Sequence, residues 1–220
     1  MKAMFRLTIA SLALLPALAS ADGFNLSARA STLGLGYEVG YAFNDYINLR
    51  VAANGYDYEY DTTEDDISYD FDLNLESTAL LLDIHPFAGS FRITAGMLDN
   101  KNELSGQAVP AGSYEINGVN YDGDDVGTLF SNVKLGESNP LYVGLGFSKA
   151  LADSGWGFGF DLGMVMLGDS DVELSATGNI VNIDPDFSAN LEAEETEVES
   201  EINSDFEAYP VIALGFTFQF

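Results

Sequence analysis

Charged side chains recur on one face of several segments in which apolar and polar residues alternate. The charged positions on that face are Glu38, Arg50, Asp70, Asp72, Glu76, Arg92, Lys134 and Asp161. Strict alternation places them opposite the large apolar residues, among glycines and other small side chains. If such strands close into a narrow barrel, these charges fill its interior, where each needs a partner of opposite sign. We therefore predict a lumen network in which Arg50, Arg92 and Lys134 each contact carboxylates.

The same charges are compatible with a second chemistry, which is permeation. Five of the eight positions are acidic and three are basic. A water-filled lumen with an excess of carboxylates would prefer cations over anions. A narrow cation-preferring channel is therefore the alternative to a plugged lumen.

Catalysis has few candidate residues in this chain. Nucleophilic hydrolysis usually needs a general base, and the single histidine, His85, directly precedes Pro86 in a tight turn. With one histidine and no cysteine, the usual ligands of zinc, haem and iron–sulfur clusters are too few. We predict no catalytic residues and no enzyme activity, and rank an outer-membrane hydrolase of lipid A or peptides last.

Acidic clusters in the predicted loops are the only candidates for a metal site. Asp122, Asp124 and Asp125 offer hard oxygen ligands of the kind that Ca²⁺ prefers, as do the clusters at 64–66 and 169–171. None of the clusters matches the twelve-residue EF-hand pattern. Loop-bound calcium is a weak hypothesis, and no other cofactor is expected.

The elements that position these residues are strands with a two-residue period. We predict eight, at 31–43, 47–60, 67–84, 91–97, 126–136, 141–148, 156–166 and 208–220. Near Asn54 the pattern changes phase, which indicates either a β-bulge or the point at which the strand leaves a lipid layer. A small hairpin is expected within 114–121. This predicts an all-β, antiparallel up-and-down barrel.

The number of strands has an alternative. With a periplasmic C-terminus, eight strands place the tight turns at Asn44 and Pro86 on the outer side, whereas short turns usually face the periplasm. Further strands at 24–30 and 172–178 would bring the number to ten.

The apolar rows favour a membrane barrel over a soluble one. The final strand carries a row that ends on the last residue, namely Ile212, Leu214, Phe216, Phe218 and Phe220. In a soluble protein such an exposed strand would promote aggregation, whereas lipid covers it in a transmembrane barrel. The opposite row is rich in glycine, which suits a narrow interior better than a soluble exterior.

The N-terminus and the charge agree with export to the cell envelope. Lys2 and Arg6 precede a short apolar stretch and the small residues at 19–21, so 1–21 is predicted to be a cleaved signal peptide. The remaining chain, 22–220, forms one domain with six basic and thirty-five acidic residues, a net charge of −29. Nucleic acid is therefore excluded as a natural partner, because binding phosphates requires positive charge.

One segment departs from a simple barrel. Residues 186–207 carry apolar side chains at steps of four and seven, with six glutamates at 192–201 between them, which predicts an acidic amphipathic helix before the last strand. Such a helix could cover the mouth of the barrel as a lid or bind a partner.

Four segments, 31–36, 85–92, 140–147 and 209–220, together with the signal peptide, carry a family resemblance. In these features the chain resembles the small outer-membrane β-barrel proteins of Gram-negative bacteria, in the broad OmpA/OmpW-like class. The resemblance implies an outer-membrane location and contact with its lipids and lipopolysaccharide. It also implies recognition of the terminal strand by the barrel-assembly machinery. We expect a structural or surface-interaction role, and the oligomeric state cannot be deduced from these residues.

Overall fold

A computed structural model of the chain describes residues 23–64, 67–109, 112–151 and 155–220. In chain order its strands are β1 (Phe24–Ser31), β2 (Gly34–Ala42), β3 (Ile47–Glu64), β4 (Ile67–Ile84), β5 (Phe91–Asn100), β6 (Glu103–Val109), β7 (Ser113–Ile116), β8 (Val119–Asp122), β9 (Leu129–Lys134), β10 (Leu141–Ala150), β11 (Trp156–Met166), β12 (Asp171–Ala176) and β13 (Ala208–Gln219). The helices are α1 (Gly123–Val126), α2 (Ile180–Ile183) and α3 (Phe187–Asp205). In this part of the chain, no helix is long and apolar enough to cross a membrane. The predicted signal peptide lies outside the described residues.

Eight strands form a closed antiparallel barrel. Around the ring the order is β1, β2, β3, β4, β5, β10, β11 and β13, and β13 pairs again with β1. The predicted number of strands is confirmed, but the set differs from the predicted one. The strand at Phe24–Ser31 belongs to the barrel, whereas Leu129–Lys134, within the segment predicted as the fifth barrel strand, lies in a side sheet.

The added first strand removes the difficulty with the short turns. The two ends of the barrel sequence meet, because the Phe220 N–H donates to the Phe24 carbonyl oxygen at 3.0 Å. The turns after β2 and β4, at Asn44 and Pro86, lie at this same end, which we call the terminus end. At the opposite, distal end lie the β1–β2 turn and the two long connections at 101–140 and 167–207.

Large apolar side chains cover the outside of the barrel. Leu214 is 63% exposed and Leu141 is 60% exposed, although both belong to the most apolar rows of the sequence. Near the terminus end the exterior is aromatic, and Trp156 packs against Phe216 and Phe218 with ring centroids 5.2 and 4.7 Å apart. An apolar band with aromatic residues at its border is the exterior that transmembrane barrels present to lipid.

The β3–β4 pair extends well beyond the barrel at the distal end. Its register is continuous from Ile47 opposite Ile84 to Glu64 opposite Ile67, so the pair contains no bulge. The face that carries Arg50 inside the barrel therefore continues as Tyr56, Tyr58 and Tyr60. The phase change in the sequence marks a change in surroundings: beyond Gly55 the outward face is acidic and the inward face is apolar.

This extension supports a second sheet and a second core. The distal half of β4 pairs with β6, β6 pairs with β9, and β9 pairs with β12. The hairpin β7–β8, which the sequence predicted, and α3 pack on the apolar face of this sheet. The core between them consists of Ile116, Tyr121, Val126, Ile180 and Phe187. We call the described residues within 56–75, 103–134 and 171–205 the extension domain.

Helix α3 corresponds to the predicted acidic helix and packs mainly against β12, with further contacts to β7 and α2. Phe187 is fully buried against Tyr121, with ring centroids 5.1 Å apart. Two of its glutamates turn towards the sheet and accept hydrogen bonds from the backbone. Glu194 bonds to the Asn117 N–H at 2.6 Å, and Glu195 to the Leu174 N–H at 2.9 Å. The helix thus covers the extension domain, and Glu195 occupies an edge-strand donor of β12.

Candidate functional site

Three arginines and three carboxylates meet in the middle of the lumen and form what we call the lumen network. Its members are Arg29, Glu38, Arg50, Asp83, Arg92 and Asp161. Each comes from a different strand, in order β1, β2, β3, β4, β5 and β11. All six side chains are more than nine-tenths buried. The network therefore joins six of the eight barrel strands across the interior.

Arg50 lies at the centre of the network. Its Nε and Nη2 donate to the two carboxylate oxygens of Asp83 at 2.6 and 2.8 Å, which is the bidentate arrangement that suits a planar guanidinium. Its Nη1 donates to Glu38 at 2.8 Å. Asp83, which is completely buried, also accepts from the Thr94 hydroxyl at 2.7 Å and from the Asn48 amide at 3.0 Å.

The other two arginines converge on Asp161. Arg92 donates from Nη2 to Asp161 at 2.7 Å and also bonds to the Ser148 hydroxyl. Arg29 bonds to Asp161 and donates to Glu38 at 2.5 Å. With three positive and three negative side chains the network is neutral overall. That balance matters because an uncompensated charge buried at low dielectric is strongly destabilising.

Glycine makes room for this arrangement in the barrel wall. A Cβ atom on Gly146 of β10 would lie 2.5 Å from Arg92 Nε and would overlap Asp161 as well. Only a residue without a side chain allows the Arg92–Asp161 pair to lie against the strand at this point.

Apolar side chains close the lumen on the distal side of the network. The residues that fill this layer are Leu33, Ala52, Ala79, Leu81, Leu98, Tyr142, Val165, Leu167 and Val211. Tyr142 reaches across the interior over Gly144 and Gly163, where any Cβ would overlap its ring or hydroxyl. Between this layer and the network only about 40 Å³ of space remains. A volume of this size holds water and offers no path for a solute.

On the other side of the network the lumen is open. A cavity of about 750 Å³, with both polar and apolar lining, extends from the network to the terminus end of the barrel. Asn25, Ser27, Asn48 and Thr217 are among its lining residues. The interior is therefore a pocket with one opening, closed by charged and then by apolar side chains.

The structure brings together four of the eight charges that the sequence placed in the lumen, namely Glu38, Arg50, Arg92 and Asp161. The prediction is wrong for Asp70, Asp72, Glu76 and Lys134, which are exposed and lie distal to the membrane-facing part of the barrel. Their strands leave the apolar band there, and outside it the polar face of a strand turns outward to water while the apolar face packs on protein.

Two of these misplaced residues form exposed ion pairs. Lys134 donates to Asp171 at 3.0 Å, and Glu76 accepts from Lys101 at the same distance. These hydrogen bonds raise the pKa values of the Lys134 and Lys101 ammonium groups above 10.5. Because both pairs are exposed to water, they contribute little to stability.

Sequence reasoning missed two members of the network, Arg29 and Asp83. Arg29 lies on β1, which was predicted only within the ten-strand alternative. Asp83 interrupts the apolar run at 79–84, and an acidic residue within an apolar run of a membrane strand is a recognisable signal of a paired interior charge.

His85 occupies the turn at the terminus end. Its ring Nδ1 bonds to the Gly89 carbonyl oxygen at 2.8 Å, and its backbone N–H donates to the Tyr46 carbonyl oxygen at 2.8 Å. These contacts are those of a residue that fixes the turn between β4 and β5.

The weak calcium candidates have structural roles of their own. Asp122 caps α1 by accepting from the Asp124 N–H at 3.0 Å, and Asp125 lies in the first turn of that helix. Among the residues that the structure describes, no three histidine, aspartate or glutamate side chains lie close enough to hold a metal ion.

Comparison with solved structures identifies the architecture. The crystal structure of CarO2 from Acinetobacter baumannii matches with a TM-score of 0.59 and 22% sequence identity, over 90% of this chain and 99% of that one. The crystal structure of Acinetobacter baumannii CarO matches with a TM-score of 0.58 and 20% identity, over 89% and 97% of the two chains. This chain shares the fold of CarO. At such identities the likeness concerns the fold alone. No protein-family model matches the chain, and no curated protein matches it.

Proposed function

We propose that this chain is an integral outer-membrane protein whose barrel does not conduct and whose acidic extension domain faces the cell exterior. The observation that carries the proposal is the closed lumen, in which the lumen network and the apolar layer around Tyr142 block the interior in succession. A structural or surface-interaction role follows, because the remaining large feature of the molecule is a packed domain outside the barrel.

The location rests on the apolar exterior and on the turns. Short turns gather at the terminus end and long connections at the distal end, which is the usual distribution between periplasm and exterior. Outer-membrane lipids and lipopolysaccharide then surround the barrel, and the barrel-assembly machinery recognises the strand that ends at Phe220. The OmpA/OmpW-like class is the narrower form of this proposal.

A narrow cation-preferring channel is the second candidate. It is favoured by the cavity of about 750 Å³, which already opens the lumen to the terminus end as far as the network. For conduction, the apolar layer and the lumen network would both have to move.

Conductance in a planar lipid bilayer separates the two candidates. We expect no steps from the wild-type protein, with folding confirmed by altered gel migration before boiling. A water-filled porin reconstituted in the same way serves as the positive control and should give steps. Reproducible cation-selective steps from the wild type would overturn the closed-barrel proposal in favour of the channel.

A further inference from the structure

The extension domain contains a cavity that is separate from the lumen. It has a volume of about 270 Å³ and lies between the apolar face of the sheet, the hairpin β7–β8 and α3. We call it the extension cavity. Its walls include Tyr69 and Phe71 from β4, Tyr114 from β7, and Leu191 and Val198 from α3. A concave, mostly apolar site with few polar groups is the usual form of a small-molecule pocket.

Aromatic rings dominate one side of the extension cavity. Tyr69 and Phe71 lie side by side on β4 with ring planes only 3° apart and centroids separated by 6.1 Å. Tyr114 of the hairpin adds a third ring to its lining. The faces of such rings carry negative electrostatic potential, which attracts a cation placed against them.

The polar groups of the extension cavity are anionic or neutral. Glu194 and Glu115 line it, and Glu194 is held in place by its bond to the Asn117 N–H. Tyr114 is half-buried there. Its burial, and to a smaller extent the nearby Tyr69 and Glu194, raise the pKa of its phenol above 10.0. The cavity therefore contains carboxylate without ammonium or guanidinium.

Every basic residue of the described chain lies elsewhere. Arg29, Arg50 and Arg92 belong to the lumen network, Lys101 and Lys134 pair with Glu76 and Asp171, and Lys149 lies near the terminus end. A cationic ligand would consequently meet no competing protein cation within the extension cavity. The strongly negative net charge of the chain also raises the local concentration of cations.

We propose that the extension cavity binds a small organic cation, an amine with an apolar body, whose ammonium group contacts Glu194 and the aromatic rings. The apolar body packs against Leu191 and Val198. This goes beyond the surface role proposed above by assigning a ligand class to the exposed domain.

Calorimetric titration of the protein in lipid nanodiscs tests the proposal. The probe is 2-phenylethylamine, which is protonated at neutral pH, and the comparison is 2-phenylethanol, which has the same ring and no charge. We expect the amine to bind about tenfold more tightly than the alcohol, as a partly desolvated cation–π contact with a carboxylate implies.

The chain provides a closely matched pair of variants. Glu194→Gln removes the charge from the cavity while its amide oxygen still accepts from the Asn117 N–H, so amine affinity should fall about fivefold or more. Glu195→Gln makes the same change one residue along α3, in a side chain that bonds to Leu174 and does not line the cavity. It should leave amine affinity close to that of the wild type.

The outcomes separate clearly. No amine binding by protein that migrates as folded, equal affinity for amine and alcohol, or equal losses in the two variants would each overturn the proposal. Ala108→Phe, which fills the cavity from β6, should abolish binding of both probes, and retained binding would place the site elsewhere. Since these titrations do not involve conductance, their failure would leave the closed-barrel proposal standing.

Discussion

Removal of Arg50 is the sharpest test of the lumen network. Arg50→Met keeps an unbranched side chain of similar length and deletes the guanidinium that binds Asp83 through two hydrogen bonds and Glu38 through one. Asp83 is completely buried, and the nearest remaining arginine atom, Arg92 Nε, lies 3.8 Å from it. Leaving a buried charge without its partner typically destabilises a protein by about 3–5 kcal/mol. The folding equilibrium should therefore shift by roughly a hundredfold to several thousandfold.

The companion variant separates the buried charge from the lost packing. Asp83→Asn in the Arg50→Met background restores neutrality, since two arginines then face Glu38 and Asp161. The new amide keeps the bond from Thr94. It can also donate to Asn48, whose Oδ1 is buried and has no hydrogen-bond partner within the described chain. The double variant should therefore be more stable than Arg50→Met alone.

Denaturant unfolding of the protein in lipid vesicles measures these differences, with fluorescence of the single tryptophan, Trp156, as the probe. Lys101→Met, which breaks an exposed ion pair, serves as the control and should unfold at the wild-type midpoint. The reasoning fails if Arg50→Met is as stable as the wild type. It also fails if the two substitutions destabilise additively, because coupled residues in one network must deviate from additivity.

Three further perturbations test other parts of the structure. Gly146→Val should destabilise the barrel by about 1–3 kcal/mol through overpacking of the network. Gly159→Ala, whose Cβ would have its nearest contact at 3.6 Å, should not. Equal unfolding midpoints would contradict the close approach of Arg92 to Gly146. Leu145→Arg on the apolar exterior should lower stability in vesicles by about 2–4 kcal/mol, and Glu59→Arg on the extension should not. Similar losses of stability would show that the lipid boundary inferred between these two positions is wrong. Phe220→Ala should reduce the amount of protein assembled in cell membranes, and wild-type levels would count against recognition of this terminal strand.

Much of the barrel could be predicted because its periodicity is local. Rows such as Ile212, Leu214 and Phe216 show a strand with one lipid-facing side without knowledge of its neighbours. Which strands belong to the barrel could not be predicted in the same way, because pairing depends on residues far apart in sequence. The segment at Phe24–Ser31 has a weak apolar row, yet it is needed to close the ring between β2 and β13.

Four of the eight charges predicted for the lumen lie there, and the other four do not, for a physical reason. Alternation identifies which residues share a face, but the side that a face presents depends on the medium around the strand. Glu38 and Arg92 lie where lipid surrounds the barrel, so their polar face points inward. Asp70 and Asp72 lie beyond the lipid, where the rule reverses. In β3 the reversal is visible as the tyrosine row that begins at Tyr56.

The unbroken β3–β4 ladder has a mechanical consequence. About nine residues of β3 extend beyond Gly55, and at roughly 3.4 Å per residue they form, with β4, a two-stranded ribbon about 30 Å long. This ribbon is a direct continuation of β3 and β4 of the barrel and contains no bulge or glycine-rich hinge. It is therefore more rigid than a loop of the same length. The extension domain is consequently joined to the barrel by continuous strand pairing. A force applied to the extension domain is therefore transmitted directly to β3 and β4, the strands that carry Arg50 and Asp83.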